Sequence, residues 1–244
     1  MLLYYALARH LPPEQRVYGL CAPGVSESER HQPLERMAEL HVKEIQVVQP
    51  NGPYVIAGEC TGGALAYEIA QQLQAAGQQV ALLALIDAFA PDLPRLLRFV
   101  PRPVYRCVHR VRILGFHFGN LVRLGMRAKL TYAASKAGRV REAVVAKASA
   151  VLHRSATIVS PQRAFREALA AYNPAPYAGS VVLFRAAQLP LGIQASPDLG
   201  WGSLVENLKI ETVPGYFTTP ISEPGVRILA GGLARRLSEC ACER

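Results

Sequence analysis

Tyr54-Val55-Ile56-Ala57-Gly58-Glu59-Cys60-Thr61-Gly62 runs from a short apolar stretch into a turn flanked by glycines, and its reading decides the fold. Residues 54–57 have the length and composition of a short strand. Residues 62–76 carry apolar side chains at helical spacing and stop at Gly77, a residue suited to ending a helix. Between them stands Gly-x-Cys-x-Gly. The residue at the tip of such a strand-to-helix turn sits on strained backbone, and glycines two before and two after it let helix and strand pass close together. The tip side chain then projects above the sheet at the amino end of a helix, whose partial positive charge favours a thiolate. A small buried cysteine beside a turn would share this local sequence. The strand before it and the helix after it favour a nucleophile at Cys60.

Outward from that turn the chain alternates. Residues 80–86 (Val-Ala-Leu-Leu-Ala-Leu-Ile) are a continuous apolar run, too short for a globular helix and typical of a strand buried on both faces of a parallel sheet. Towards the amino terminus, residues 1–11 read as a helix ended by Pro12-Pro13, residues 16–21 as a short strand, and residues 33–48 as a helix. The apolar side of that second helix is formed by Leu34, Met37, Leu40, His41, Ile45 and Val48. Towards the carboxyl terminus, residues 161–172 read as a helix, 180–184 and 208–213 as strands, and 223–237 as a closing helix. Strands alternating with helices predict an α/β protein with a mostly parallel sheet.

The chain has 244 residues, 50% apolar and 18% charged, enough for one large domain with a sizeable core. No apolar run approaches the roughly 18 residues needed to cross a bilayer, and residues 1–10 lack the basic start and cleavage site of a signal peptide. The five cysteines (Cys21, Cys60, Cys107, Cys240, Cys242) include no Cys-x-x-Cys pair, and no clustered histidines accompany them, so neither a disulfide framework nor a metal site is expected. A cytoplasmic protein with free thiols and no membrane association is the expectation.

The formal charge of +9 is unevenly spread. Between Arg95 and Arg154 lie 14 Lys or Arg and a single acid, Glu142, so this block alone carries +13 and the remainder is net negative. Val104, Val108, Val111, Ile113, Leu114, Leu121 and Leu124 interrupt the arginines, as in basic amphipathic helices. Such a block is either the surface for an acidic partner or a well-solvated face. Nucleic acid is not expected, because no reading motif accompanies the charge. Residues 91–160 form an insertion between two parts of the α/β pattern.

The segment Gly-Pro-Tyr-Val-Ile-Ala-Gly-Glu-Cys-Thr-Gly-Gly-Ala-Leu-Ala-Tyr-Glu-Ile-Ala-Gln-Gln-Leu resembles the nucleophile segment of thioesterase domains from nonribosomal peptide and polyketide synthetases. Supporting stretches are Leu-Ala-Arg-His-Leu near the start, Tyr172-Asn173-Pro174, Asp198-Leu199-Gly200-Trp201 and Val213-Pro214-Gly215. The resemblance implies an α/β-hydrolase fold over residues 1–244, with residues 91–160 as a basic helical lid. It implies an enzyme that takes acyl or peptidyl groups from the phosphopantetheine thioester of an acidic carrier protein, with no cofactor of its own.

On the same resemblance Cys60 takes the place of the usual serine nucleophile, Asp87 is the triad acid, and the amide of Thr61 donates to the oxyanion. A helix or turn cap at the strand end is the alternative for Asp87. The family's histidine lies in Val-Pro-Gly-Asp-His-Phe, whereas this chain reads Val213-Pro214-Gly215-Tyr216-Phe217-Thr218, so Phe217 stands at the histidine position. A replacement base would have to come from His109, His117 or His153 of the lid, or from His10, His31 or His41, each expected to be an ordinary helix or surface histidine. On the resemblance, the family's first strand and the Gly-rich loop that supplies one of the two oxyanion amides would precede Met1, so either the gene begins late, the sequence is truncated, or the oxyanion hole is incomplete. A thiol attacks thioesters well and leaves a thioester acyl-enzyme, which favours acyl transfer over hydrolysis. The alternative is a catalytically silent module that docks a carrier protein.

Overall fold

The computed structural model describes residues 4–21, 32–91, 95–96, 101–123 and 161–242. Along the chain these form α1 (Tyr5–His10), α2 (Leu34–Val48), β1 (Tyr54–Glu59), α3 (Gly62–Ala75), β2 (Val80–Ile86), β3 (Arg95–Leu96) and α4 (Arg102–Arg123). There follow α5 (Pro161–Ala171), β4 (Tyr177–Gln188), β5 (Ile193–Gln194), a 3-10 turn (Trp201–Ser203), β6 (Val205–Tyr216) and α6 (Gly225–Cys242).

The main sheet has the order β1-β2-β4-β6 with every pairing parallel. The short strands β3 and β5 pair antiparallel apart from it. Parallel neighbours require crossovers, and the helices supply them on both faces. Period-two alternation divides β2 between the faces. Leu83 and Leu85 join Ile56, Tyr67, Ile69, Leu73 and Trp201 beneath α2 and α3, while Leu82, Ala84 and Ile86 join Val182, Phe184, Val226 and Leu229 beneath α1 and α6. A fully buried side chain of this kind contributes about 1.5–3 kcal/mol. β2 is therefore the strand whose apolar run the fold most needs.

Three expectations are corrected. Residues 16–21 form no strand: they are irregular, and Val17, Tyr18 and Leu20 are 47%, 62% and 44% exposed. A strand needs a ladder partner and a face to bury, and neither is offered to this run among the described residues. The buried side of α2 is rotated from the expected one, consisting of Leu34, Ala38, His41 and Val42, while Val48 is exposed. β4 and β6 are each 12 residues long and extend well beyond their apolar centres, because they pair with one another along most of their length. Of the insertion at 91–160, the described part includes the basic helix α4; residues 124–160 lie outside the described residues.

Candidate active site

The turn between β1 and α3 has the strained form its sequence predicts. Cys60 lies at φ +52°, a left-handed conformation uncommon outside glycine. A Cβ on Gly58 would strike the carbonyl oxygen of Gly62 and approach Ala66 Cβ to 2.7 Å, so only glycine lets α3 cross β1 this closely. The backbone holds the tip from both sides: the Cys60 amide donates to the Ile86 carbonyl at 2.9 Å, and the Gly63 amide donates to the Cys60 carbonyl at 3.1 Å. Cys60 as a whole residue is half-buried.

The electrostatics at the tip differ from expectation. Burial pushes the Cys60 thiol above its ordinary value, the negative charges of Glu59 and Asp87 push it the same way, and the Thr61 amide opposes them. Helix-end stabilisation of a thiolate therefore loses to desolvation and neighbouring charge. At neutral pH Cys60 is a thiol that needs a proton acceptor before it can attack.

Asp87 follows β2 directly and is fully buried at φ +45°. Its Oδ1 accepts the Ala186 amide at 2.6 Å and its Oδ2 accepts the Thr218 amide at 2.7 Å. Burial raises its carboxyl to about 6, against the lowering effects of those two amides and the charge of Arg185. Thr218 is itself at φ +68°, a conformation that a β-branched residue strongly resists. Three strained non-glycine residues thus meet here, at a cost on the order of 1–3 kcal/mol each, and such strain gathers at functional sites. Trp201 braces this corner, donating from Nε1 to the Ala88 carbonyl at 2.8 Å.

Phe217 lies immediately after β6, only 8% exposed, with its ring 5.3 Å from that of Phe89. Asp87 therefore faces backbone amides, and its hydrogen-bond partners among the described residues include no imidazole. The described side chains of the other histidines are accounted for. His10 pairs with Glu223 at 2.8 Å, and His41 in α2 pairs with Glu44 at 2.8 Å. His31 and His153 lie outside the described residues, as does the side chain of His117.

His109 is different from its expected surface role. It stands on α4 and faces the body of the protein, with Nδ1 2.9 Å from the Tyr216 hydroxyl and its ring stacked on Tyr105. Burial lowers its imidazole below the ordinary value, so it is a neutral base at pH 7. Tyr105 is raised first by its own burial and then by the charge of Cys60, which places it within electrostatic range of the sulfur. Tyr4 lies near the same turn, raised by burial and by the charges of Glu59 and Cys60. Tyr4, Tyr105, His109 and Tyr216 went unnoticed as a group in the sequence. The available signal was the i, i+4 placement of Tyr105 and His109, which puts both on one face of a helix.

Sheet, strained turn and buried acid together define the α/β-hydrolase fold, and solved structures agree. The chain matches a four-domain nonribosomal peptide synthetase bound to AMP and glycine (holo-AB3403) at TM-score 0.66 and 25% identity, covering 96% of this chain and 18% of that one. It matches the NocB thioesterase domain in covalent complex with a fluorophosphonate nocardicin G analogue at TM-score 0.63 and 24% identity, covering 97% of this chain and 88% of that one.

Within that fold, residues 1–95 match the family model described as the thioesterase domain, a span that includes Cys60 and Asp87. Among curated relatives, malpibaldin synthetase of Mortierella alpina is 39% identical over 88 residues, 36% of this chain and 2% of that protein. Microperfuranone synthase of Emericella nidulans is 38% identical over 99 residues, 40% of this chain and 10% of that protein. A dimodular nonribosomal peptide synthase of Bacillus subtilis is 37% identical over 87 residues, 35% of this chain and 4% of that protein. The chain thus spans a small fraction of the length of these relatives.

Proposed function

We propose that this chain is a thioesterase-type domain of nonribosomal peptide or polyketide biosynthesis, in which Cys60 takes the acyl group from a phosphopantetheine thioester on a carrier protein. The carrying observation is Cys60, a half-buried residue held at φ +52° on a turn that only Gly58 permits. In the first step the sulfur attacks the thioester carbonyl, the Thr61 amide donates to the developing oxyanion, and the pantetheine sulfur departs with the proton that Cys60 loses. The product is a new thioester on Cys60. With Phe217 at the position where the resemblance puts histidine, hydrolysis of that intermediate is weak and transfer to an amine or alcohol is favoured. Asp87 acts as the acid of a partial triad. No metal or cofactor takes part, since the pantetheine belongs to the substrate.

The basic helix α4 supports an acidic carrier as partner: Arg106, Arg110 and Arg112 are exposed along it. No helix among the described residues is long and apolar enough to cross a membrane, and a cytoplasmic setting is proposed with the carrier. A second reading, a silent docking module, has its own support in the raised Cys60 thiol and in an Asp87 whose two oxygens already accept amides.

Incubation with an acyl-pantetheine thioester followed by intact mass spectrometry separates the two. The enzyme reading expects an added acyl mass in the parent protein and none in Cys60→Ala. An unmodified parent protein from pH 6 to 9 would leave only the docking module.

A further inference from the structure

Helix α4 has apolar residues on two opposite sides, and the fold uses one of them. On that side His109, with Tyr105 stacked on it, meets the Tyr216 hydroxyl at 2.9 Å from Nδ1, and Phe116 packs beside Gly215. The other side carries Val104, Cys107, Val111, Leu114 and Phe118. Val104, Val111, Leu114 and Phe118 are 51%, 62%, 67% and 69% exposed, and Cys107 is exposed as well. The intervals between the five are three, four, three and four residues, the repeat of the a and d sites of a heptad. Single apolar residues on a surface are ordinary, but a row of them along one line marks a contact.

The row is long and narrow: it runs for roughly 20 Å and covers roughly 80° of the helix circumference. A helix lying in a lipid surface turns a broader apolar sector to the acyl chains and a polar one to water, whereas the far side of α4 is already packed on the protein. A seam of heptad spacing fits another helix.

The flanking charges state which kind. Arg106 and Arg110 border the row on one side and Arg112 on the other, all three exposed, and α4 contains no acid. A second copy of α4 would set arginine against arginine. Residues 124–160 carry the same sign in sequence, with seven Lys or Arg against Glu142 alone. The complement is a helix whose apolar a and d positions are bordered by Asp or Glu.

We propose that the outer face of α4 is a docking seam for an acidic amphipathic helix of the carrier protein, with Val104, Val111, Leu114 and Phe118 as its apolar anchors. The choice of a carrier rests on the thioesterase reading, and the seam gives that partner a defined element to bind where charge alone gives only attraction. Because α4 also meets Tyr216 at the end of β6, a carrier held there stands at the same end of the parallel sheet as Cys60 and Asp87.

The test is fluorescence anisotropy of the intact chain with a labelled three-heptad peptide that has Leu at a and d and Glu at e and g. A peptide of the same composition in scrambled order is the control. At pH 7 the glutamates keep the probe from pairing with itself. The ordered peptide should bind, and the scrambled one should bind about tenfold more weakly or less. Val111→Ser combined with Leu114→Ser alters two exposed positions and no charge. It should weaken the ordered peptide about tenfold or more, the usual cost of truncating interface anchors. An excised carrier domain of a nonribosomal peptide synthetase should displace the ordered peptide.

Equal binding of the two peptides, or an unchanged affinity in the double variant, reduces α4 to a solvated basic face and overturns the proposal. A carrier domain that does not displace the peptide overturns the choice of occupant. Binding to phosphatidylglycerol vesicles, or a dimer in sedimentation, that the double variant loses while the ordered peptide does not bind would give the seam to lipid or to a second copy instead. Acylation of Cys60 by an acyl-pantetheine thioester, which carries no helix, scores the thioesterase reading separately. Acylation without peptide binding removes only the seam, and peptide and carrier binding without acylation removes only the enzyme.

Discussion

Two corners of this site lie within a few residues of one another across the sheet and have kept different things. At the β1–α3 turn, backbone and side chain agree: glycine at 58, a left-handed Cys60, and a half-buried cysteine at the tip. At the β2–β6 corner the backbone is equally contorted, with Asp87 and Thr218 both at positive φ, yet the side chain that would use that geometry is Phe217. The second corner therefore combines strained backbone and a buried carboxyl with an aromatic side chain, where the first combines strained backbone with a thiol.

The largest effect expected from disturbing this contrast is at the first corner. Gly58→Ala forces a Cβ against the Gly62 carbonyl oxygen and Ala66, where nothing flexible can yield. Overpacking of this kind should cost about 3 kcal/mol. For a chain of this size that lowers Tm by on the order of 10 °C, measurable by calorimetry, and Cys60 should lose its reactivity. A change of less than a few degrees would mean that α3 and β1 do not cross as tightly as described.

Next in size is a change at the second corner. Phe217→His supplies an imidazole beside Asp87, and steady-state release of free acid from an acyl thioester should rise roughly tenfold or more, a modest share of the usual gain from general-base assistance. No gain would place the deficit in more than one group.

Asp87 offers a smaller and purely thermodynamic test. Its carboxyl is raised in the folded protein to about 6 from an ordinary 3.8, so the fold favours the protonated form. The native state then binds more protons than the unfolded chain between those values, and stability must fall as pH rises through that window. The loss is about 1.4 kcal/mol for each unit of displacement. Denaturant titrations at pH 4 and pH 7 should show this fall in the parent protein and not in Asp87→Asn. A parent protein that instead gains stability relative to Asp87→Asn over that range would require the carboxylate to be favoured by its amides.

The smallest effect concerns the lid. Binding of an acidic carrier protein should weaken as salt is raised from about 50 to 500 mM, since exposed charges are screened over about 8 Å at physiological ionic strength. Arg106→Glu combined with Arg110→Glu should flatten that dependence, and salt-independent binding would exclude α4 as the docking face.

The contrast between the corners also explains what the sequence disclosed. The β1–α3 turn was legible because its requirements are local: two glycines and a small cysteine at fixed spacing carry the geometry within five residues. β2 was legible for the same reason, as an unbroken apolar run can only be buried on both faces. Residues 16–21 have a strand's composition but lack a ladder, and pairing is not a local property. The thiol's raised pKa was hidden because it depends on burial and on Asp87, which is 27 positions away in the chain. His109 was hidden for a related reason: its contact with Tyr216 spans 107 positions, so it read as one more residue of a basic helix.

The account stands most directly on the fate of an acyl group offered to Cys60. In a time course with a phosphopantetheine-linked acyl thioester, followed by peptide mapping, the parent protein should accumulate an acyl mass on the peptide containing Cys60. That mass should persist in water and disappear when an amine is added. An acyl group found on another cysteine, or on none while the thioester remains intact, would contradict it.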